Sequence, residues 1–357
     1  MATTLTIVAI KARKFVRYGI IIFFVIVIGR LLLTFSINTY KRVVPKPPPP
    51  PSVGFGRLAN IPFPNLNIEL PEIEYAIGTI TNELPNLPNQ MPVFYIPLKT
   101  ANLYSFDKMR AMARAYGFSL EPKRETETLY VFVHPNVPAV FRADIVYETF
   151  SISFNLAADS SPLNQRAPDV ASATQSVRQF LSAAKALPED LNGPVTSEYL
   201  RVEGQNLVRA LALSDAQLTK IGLFRSPVVL NEKLEYPSVT ANPKDGNTWF
   251  IVSGQMESSK TIIAGEHRYF PIDKTRFETY PIKSAQEALE DLKSGKGFIA
   301  NLGLNTSGKV TIREVFIGYY DPDVPYSFYQ PVVVFKGDGE FVAYVPAVTK
   351  DYYGLPQ

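Results

Sequence analysis

The feature that most constrains this chain is an apolar run near its N-terminus. Residues 18–37 read YGIIIFFVIVIGRLLLTFSI, and Arg30 is the only charged residue among them. About twenty apolar residues in a helix match the thickness of one bilayer. The sequence therefore predicts one transmembrane helix over residues 18–37, in contact with the lipid bilayer, and a folded body outside the hydrocarbon layer.

Basic residues on both sides of the run indicate its direction. Four precede it and three follow it closely: Lys11, Arg13, Lys14 and Arg17 before, then Lys41, Arg42 and Lys46 after. The excess on the N-terminal side favours a cytoplasmic N-terminus. We therefore expect a cytoplasmic tail over 1–17 and an extracytoplasmic body on a single-pass protein of the cell membrane. A cleaved signal peptide is the alternative, but the run ends in TFSIN, a poor cleavage site.

Arg30 allows two interpretations. It lies about seven residues, or ~10 Å of helix, from the outer end of the run. Its side chain can therefore reach the outer headgroups. Charged residues within a membrane also mark contacts between helices. Arg30 is thus a candidate contact with another transmembrane helix, and snorkelling is the simpler alternative.

A proline-rich spacer is predicted over residues 38–56. Residues 45–51 read PKPPPPP. Polyproline II rises about 3.1 Å per residue, so these residues would form a stiff stalk of ~20 Å. The stalk would hold the body away from the bilayer.

Three helices are predicted in the body, over 105–116 and from Ser172 and Ser284 onward. Apolar residues in each recur at helical spacing. Ser172 with Gln175, and Ser284 with Glu287, match the capping box, in which two side chains satisfy free amides at a helix start.

Strands are predicted around these helices, and Gly337-Asp338-Gly339 between the last two indicates a hairpin. The predicted strands cover residues 72–80, 93–96, 129–134, 145–156, 199–202, 207–213, 221–224, 249–254, 260–264, 267–271, 310–320, 330–336 and 341–345. A helix followed by antiparallel strands recurs, so the fold class is α+β, with repeated helix-plus-antiparallel-sheet modules after the transmembrane helix. The modules cover 57–160 and 172–357, joined by a linker at 161–171. Whether they pack as one domain is left open.

The C-terminal part of the chain carries a pattern of helix, Gly-Tyr-Tyr strand and two further strands. It comprises Ala285 to Leu292, Gly318-Tyr319-Tyr320, Pro331 to Phe335 and Phe341 to Ala347. Residues 172–357 thereby resemble the YycH/YycI-like regulatory proteins and the related PepSY-like units, with a weaker echo at 105–156. The resemblance implies a PepSY/YycI-like fold and an extracytoplasmic domain that restrains or tunes a membrane partner, such as a sensor kinase or an envelope enzyme. The proline spacer and the strands before Tyr104 are not part of that pattern.

Residue types that carry chemistry are sparse. Cysteine is absent, and the two histidines, His134 and His267, have no metal-ligand spacing and no serine elbow beside them. Asp321 and Asp323 flank a proline and read as a turn, although carboxylates there could bind calcium or serve acid–base chemistry. We expect no catalytic, metal-binding or cofactor-binding residue and no cofactor. The net charge of +3 gives no basic face for nucleic acid.

Aromatic residues are abundant, with 19 Tyr and 23 Phe. Five of them cluster near the predicted C-terminal sheet: Tyr319, Tyr320, Tyr326, Phe328 and Tyr329. Exposed, they would form a platform for a protein, peptide or glycan partner. Aromatics are also favoured in strands, where half face the core, so a packing role is the alternative.

These features favour a non-enzymatic, membrane-anchored extracytoplasmic protein. It would act by protein–protein contact in the cell envelope, in a regulatory or scaffold role, on a membrane or envelope partner. The alternative is a module that binds cell-wall glycan or peptide through exposed aromatics. An enzyme of unrecognised type is a third possibility, and it would need a pocket with converging acids.

Overall fold

The computed structural model describes residues 2–43, 49–65, 71–230 and 234–355. The chain divides into two units, Met1–Pro50 and Pro51–Gln357. Residues 44–48, which hold most of the predicted proline stalk, lie outside the described residues.

The first unit is built on one helix, α1, over Ala2–Val43. Its segment Arg13–Thr39 holds an 18-residue stretch that has a mean hydropathy of 2.7 and is not buried, so α1 is long and apolar enough to span a membrane. The helix covers residues 38–43, which were expected to belong to the spacer. The first proline after the run is Pro45, and a proline disfavours helix only from the residue before it, so nothing stops the helix earlier.

The second unit contains four helices and twenty-one strands among the described residues. The helices are α2 Ser105–Ala115, α3 Val170–Ala183, α4 Ser258–Thr261 and α5 Ala285–Lys293. The first strands are β1 Leu58–Ala59, β2 Glu74–Ile77, β3 Gln90–Tyr95, β4 Lys123–Arg124, β5 Leu129–Val133, β6 Ala139–Asp144 and β7 Phe150–Phe154. Next come β8 Val195–Glu203, β9 Asn206–Arg209, β10 Leu218–Leu223, β11 Val228–Leu230, β12 Leu234–Tyr236, β13 Ser238–Val239, β14 Thr248–Ser253 and β15 Ile262–His267. The last are β16 Asp273–Pro281, β17 Phe298–Asn301, β18 Lys309–Tyr320, β19 Phe328–Gly337, β20 Phe341–Pro346 and β21 Tyr353–Leu355.

Two large sheets organise this unit. The first is antiparallel, with nine strands in the order β4-β5-β6-β7-β15-β14-β10-β8-β9. The second has eight strands, with the path β13-β18-β19-β20-β17, β2 on β18, and β3 between β19 and β16. Two small pairs, β1 with β21 and β11 with β12, complete the unit.

Helices cover one face of each sheet. Met109 and Ala113 of α2 and Val177 and Leu181 of α3 belong to the core on the nine-stranded sheet, together with Phe250. Helix α5 contributes its apolar side to the core of the eight-stranded sheet. The chain is therefore α+β, as expected.

The expected repeat of modules is not confirmed. Strands β4–β7 precede residues 161–171 and strands β8–β10 follow them, yet all belong to one sheet. Long-range pairing of β7 with β15 makes this connection. Residues on both sides of 161–171 therefore lie in a single compact unit.

Of the local features predicted from the sequence, some are confirmed and others are wrong. The capping box at Ser284 and Glu287 is present, and the hairpin between β19 and β20 is confirmed. The expected cap at Ser172 is wrong, because the Asp169 carboxylate accepts from the Ser172 amide and α3 begins at Val170. The expected strand 145–156 begins only at Phe150, since residues 145–149 form the turn of the β6–β7 hairpin.

The strands predicted over 260–264 and 267–271 also differ from the structure. Residues 258–261 form α4 before β15 begins, and β15 ends at His267. The strand after it is β16, over 273–281, which the sequence reasoning missed. Its outward residues are mostly polar, so it lacks the apolar alternation that identifies a strand.

Candidate functional site

A buried arginine lies where the two sheets meet. Arg225 follows β10 of the first sheet and is 2% exposed. Its Nε donates to Asp321 Oδ1 at 2.8 Å, and Nη1 donates to Asp190 Oδ2 at 3.0 Å. Its Nη2 donates to the Phe270 carbonyl at 2.6 Å. We name Arg225, Asp190, Asp321 and Tyr269, described next, the Arg225 cluster.

Tyr269 completes the cluster. Its hydroxyl donates to Asp190 Oδ1 at 2.6 Å, and its ring lies 4.1 Å from the Arg225 guanidinium carbon. Burying a charge costs several kcal/mol unless opposite charges and hydrogen bonds compensate for lost water. Here two carboxylates, one carbonyl and one aromatic face do so. Because Asp321 follows β18, the cluster also ties the second sheet to the first.

The electrostatics keep Arg225 charged. Burial alone would lower the pKa of Arg225, but the Asp321 and Asp190 carboxylates outweigh burial, and the pKa is raised. Burial raises the pKa of the Tyr269 hydroxyl, which therefore stays protonated and donates to Asp190. Arg225 and Tyr269 are thus both held in their protonated forms.

A cleft of about 390 Å³ opens above this cluster. Five residues contribute its polar lining: Asp190, Arg225, Ser226, Lys274 and Tyr329. Its other lining residues are apolar: Pro92, Phe94, Pro227, Val228, Val229, Leu230, Ile272 and Phe277. We name this the Arg225 cleft. Apolar walls with a few fixed polar groups are typical of binding sites.

Two apolar side chains of the cleft are exposed. Val229 of β11 is 55% exposed, and Phe277 of β16 is 49% exposed. Residues 274–276 bulge out of the ladder between β16 and β3. Phe277 packs against Phe94, with ring centroids 5.8 Å apart. These two side chains present apolar surface at the mouth of the cleft.

His267 lines a neighbouring cavity of about 470 Å³ together with Tyr269. Its Nδ1 lies 3.0 Å from the Thr248 hydroxyl, and its ring stacks on Tyr269. Burial first, and the positive charge of Arg225 second, lower the pKa of His267 to about 3. His267 is therefore neutral at physiological pH.

The predicted aromatic cluster belongs to the interior. Tyr319, Tyr320, Tyr326 and Tyr329 are each at most 1% exposed, and Phe328 is partly buried. The Tyr319 hydroxyl donates to the Pro92 carbonyl at 2.8 Å, and Tyr326 donates to the Ala59 carbonyl at 2.7 Å. Strands β18 and β19 are central in their sheet, so residues 319–329 are covered by packing from both sides. The exposed platform is therefore not present, and Tyr329 alone of the five lines the Arg225 cleft.

The other sequence candidates are placed as follows. Arg30 lies in α1 with its side chain exposed, and a contact with another helix stays a prediction. Asp321, expected in a turn with Asp323, instead forms an ion pair with Arg225. Sequence reasoning missed Arg225 itself. The available signal was a single arginine inside the apolar stretch IGLFRSPVVL.

No family model matches the sequence, and no curated protein matches it. One similar solved structure is an uncharacterized protein from Eubacterium rectale ATCC 33656, with 13% identity, a TM-score of 0.39, and coverage of 75% of this chain and 86% of that chain. Another is the Bacillus megaterium YpeB C-terminal domain, with 10% identity, a TM-score of 0.31, and coverage of 71% and 95%. Both TM-scores are below 0.5, so the resemblance to YycH/YycI-like proteins depends on the sequence pattern alone.

Proposed function

We propose that this chain is a membrane-anchored extracytoplasmic protein that acts by protein–protein contact, in a regulatory or scaffold role. The Arg225 cleft is its contact site. The observation that carries the proposal is the structure of this cleft. Its walls are apolar, its opening has exposed apolar side chains, and the Arg225 cluster lies fixed beneath it. The exposed apolar helix α1 supports an anchor that confines the body to a membrane surface.

Binding without chemistry is supported by the state of the polar groups in the Arg225 cluster. Arg225 uses each of its three nitrogens on a described acceptor, and Asp190 accepts from both Arg225 and Tyr269. A nucleophile or general base needs a free lone pair facing the substrate and a pKa near the working pH. The cluster instead acts as a rigid polar frame that orients a ligand.

The occupant we propose is an extended segment of a membrane or envelope protein that inserts an apolar side chain. Strand β11 pairs only with β12 among the described strands, so one edge of β11 is available to a further strand. All three residues of β11 line the cleft. Main-chain bonds to a strand edge give affinity, and adjacent pockets select side chains.

The glycan-binding alternative required exposed aromatics. The cluster at 319–329 is buried, so no observation favours that function.

Co-purification from native membranes tests the proposal. Val229→Glu and Phe277→Glu place charges at the mouth of the cleft, whereas Leu211→Glu and Leu304→Glu change side chains that are 97% and 85% exposed elsewhere. We expect a specific membrane or envelope protein to be recovered with the wild type and both controls, and lost with both cleft variants. Equal recovery with all four variants, or no specific protein with the wild type, would contradict the proposal.

A further inference from the structure

A groove at the C-terminal end of α2 encloses about 660 Å³ and shares no lining residue with the Arg225 cleft. Its lining comes from the end of α2, from α3 and from the segment around α4, and includes Arg114, His134, Phe180 and Met256. We name it the His134 groove. Nothing in the proposed contact site depends on it.

The tautomer of His134 is fixed by the backbone. His134 is 9% exposed, and its Nδ1 accepts from the amides of Asn136 and Val137, both at 3.2 Å. A ring nitrogen that accepts hydrogen bonds carries no proton, so the neutral ring is protonated on Nε2. Burial lowers the pKa of His134, against the smaller opposing effect of Glu257, which keeps the ring neutral. The ring therefore offers one donor, Nε2–H.

That donor has no partner among the described residues, none of which accepts a hydrogen bond from it. Gly117, which also lines the groove, has φ of +91°, and a Cβ there would lie 2.8 Å from His134 Nε2. A glycine at this position adopts the left-handed conformation without strain, and it leaves His134 Nε2 uncovered because it has no Cβ. The Nε2–H donor therefore faces the groove with its direction fixed by the turn, and it can bond an acceptor that enters there.

The rest of the groove combines a free cation with an apolar wall. Arg114 is exposed and forms no ion pair with any described residue. The Tyr116 ring stacks on Phe180 with centroids 3.9 Å apart, and Met256 is 98% exposed. The nearby acid, Glu257, lies 3.8 Å from Lys260 and accepts from the Ser259 hydroxyl, so its negative charge is partly offset.

We propose that the His134 groove binds a carboxylate carried on an apolar group. The His134 Nε2–H and the Arg114 guanidinium would donate to the carboxylate, and Phe180 and Met256 would contact the apolar group. Hydrogen bonds from a cation to a carboxylate are the stronger kind. The carboxylate can belong to a small free acid or to the C-terminal residue of a peptide.

Calorimetric titration of the full-length protein in lipid nanodiscs tests this, with empty nanodiscs as the blank. The probes are N-acetyl-L-phenylalanine and its amide. His134→Asn keeps an acceptor near the position of Nδ1 but removes the Nε2 donor, and Arg114→Gln removes the cation. Arg110→Gln is the matched control, because Arg110 lies on the same helix and pairs with Glu121 outside the groove.

We expect the acid to bind at least about tenfold more tightly than the amide, and His134→Asn and Arg114→Gln each to lose about tenfold. Arg110→Gln should bind as the wild type does. Equal affinity for acid and amide, no binding at millimolar concentration, or wild-type affinity in a folded His134→Asn variant would overturn the proposal. Tighter binding of Gly-Gly-Phe than of the free acid would identify a peptide C-terminus as the source, and the reverse would identify a small acid.

Discussion

The Arg225 cluster and the turn that holds His134 both bury a basic side chain, but one keeps it charged and the other keeps it neutral. Each places a basic side chain in the interior next to a cavity. Arg225 stays charged because two carboxylates outweigh the effect of burial, whereas His134, whose Nδ1 is bonded to two backbone amides, stays neutral because burial lowers its pKa. The difference shows that burial keeps a basic side chain neutral unless carboxylates contact it. The partners of the charged Arg225 come from several distant segments, whereas those of the neutral His134 come only from its own turn.

Removing Arg225 should give the largest effect. Arg225→Met would leave the buried Asp321 and the partly buried Asp190 without their counter-charge, and we expect a loss of about 3–5 kcal/mol in the free energy of unfolding. Urea unfolding in detergent, followed by the fluorescence of the single tryptophan, Trp249, would measure it.

Arg313 is the matched control for this change. It pairs with Asp338, and their side chains are 55% and 52% exposed. Since water screens this pair, Arg313→Met should cost less than about 1 kcal/mol. Similar losses for the two variants would show that the Arg225 cluster does not hold the sheets together.

His267 tests the neutral case through pH. Its pKa in the folded protein is lowered to about 3, below the unfolded value of about 6.5. Below pH ~6.5 the unfolded chain binds a proton that the folded chain does not, so stability is full above this pH and falls as pH drops toward 3. One such group contributes about 1.4 kcal/mol per pH unit, or about 2 kcal/mol between pH 6.5 and 5.

Urea unfolding at several pH values would measure this slope. The comparison is with His267→Asn, which keeps an acceptor near the position of Nδ1 for Thr248 but does not titrate. Between pH 6.5 and 5, we expect the free energy of unfolding of the variant to depend less steeply on pH, by the equivalent of about one bound proton. Identical slopes for the two proteins would show that His267 is not held neutral.

His134 should give a smaller effect that depends on the substitution. His134→Phe removes the acceptor for the Asn136 and Val137 amides, and we expect a loss of about 1–2 kcal/mol. His134→Asn restores an acceptor near the position of Nδ1 and should recover most of that loss. Thermal unfolding of the two variants would measure the difference, and equal losses would contradict the assignment of Nδ1 as the acceptor.

The smallest effect on stability is expected at the mouth of the Arg225 cleft. Phe277 is half exposed, so Phe277→Ser should change the free energy of unfolding by about 0.5 kcal/mol or less. Its effect on recovery of the partner should nevertheless be large. Loss of stability comparable to that of Arg225→Met would mean that Phe277 is part of the core rather than a contact residue.

Local features of the fold could be predicted from the sequence, and long-range ones could not. The helix α5, its capping box and the β19–β20 hairpin depend on residues within a few positions of each other. The nine-stranded sheet depends on β7 pairing with β15, more than a hundred residues away, which no local pattern encodes.

The candidate site follows the same rule. Asp190, Arg225 and Asp321 come from three distant segments, and each taken alone resembles a residue at the surface or in a turn. Likewise, the composition of residues 319–329 indicated many aromatics but not whether they face water. Exposure was decided by β3 and the segment around Ala59, which cover them.

Site-specific photo-crosslinking in intact cells tests the central claim most directly. A benzoylphenylalanine would replace Val229 or Phe277 in the full-length protein at native expression, and Leu211 or Leu304 in the controls. The account predicts one crosslinked membrane or envelope protein from both cleft positions and none from the controls, with the crosslink weakened in an Arg225→Met background. Crosslinks from the control positions alone, or none from the cleft, would contradict it.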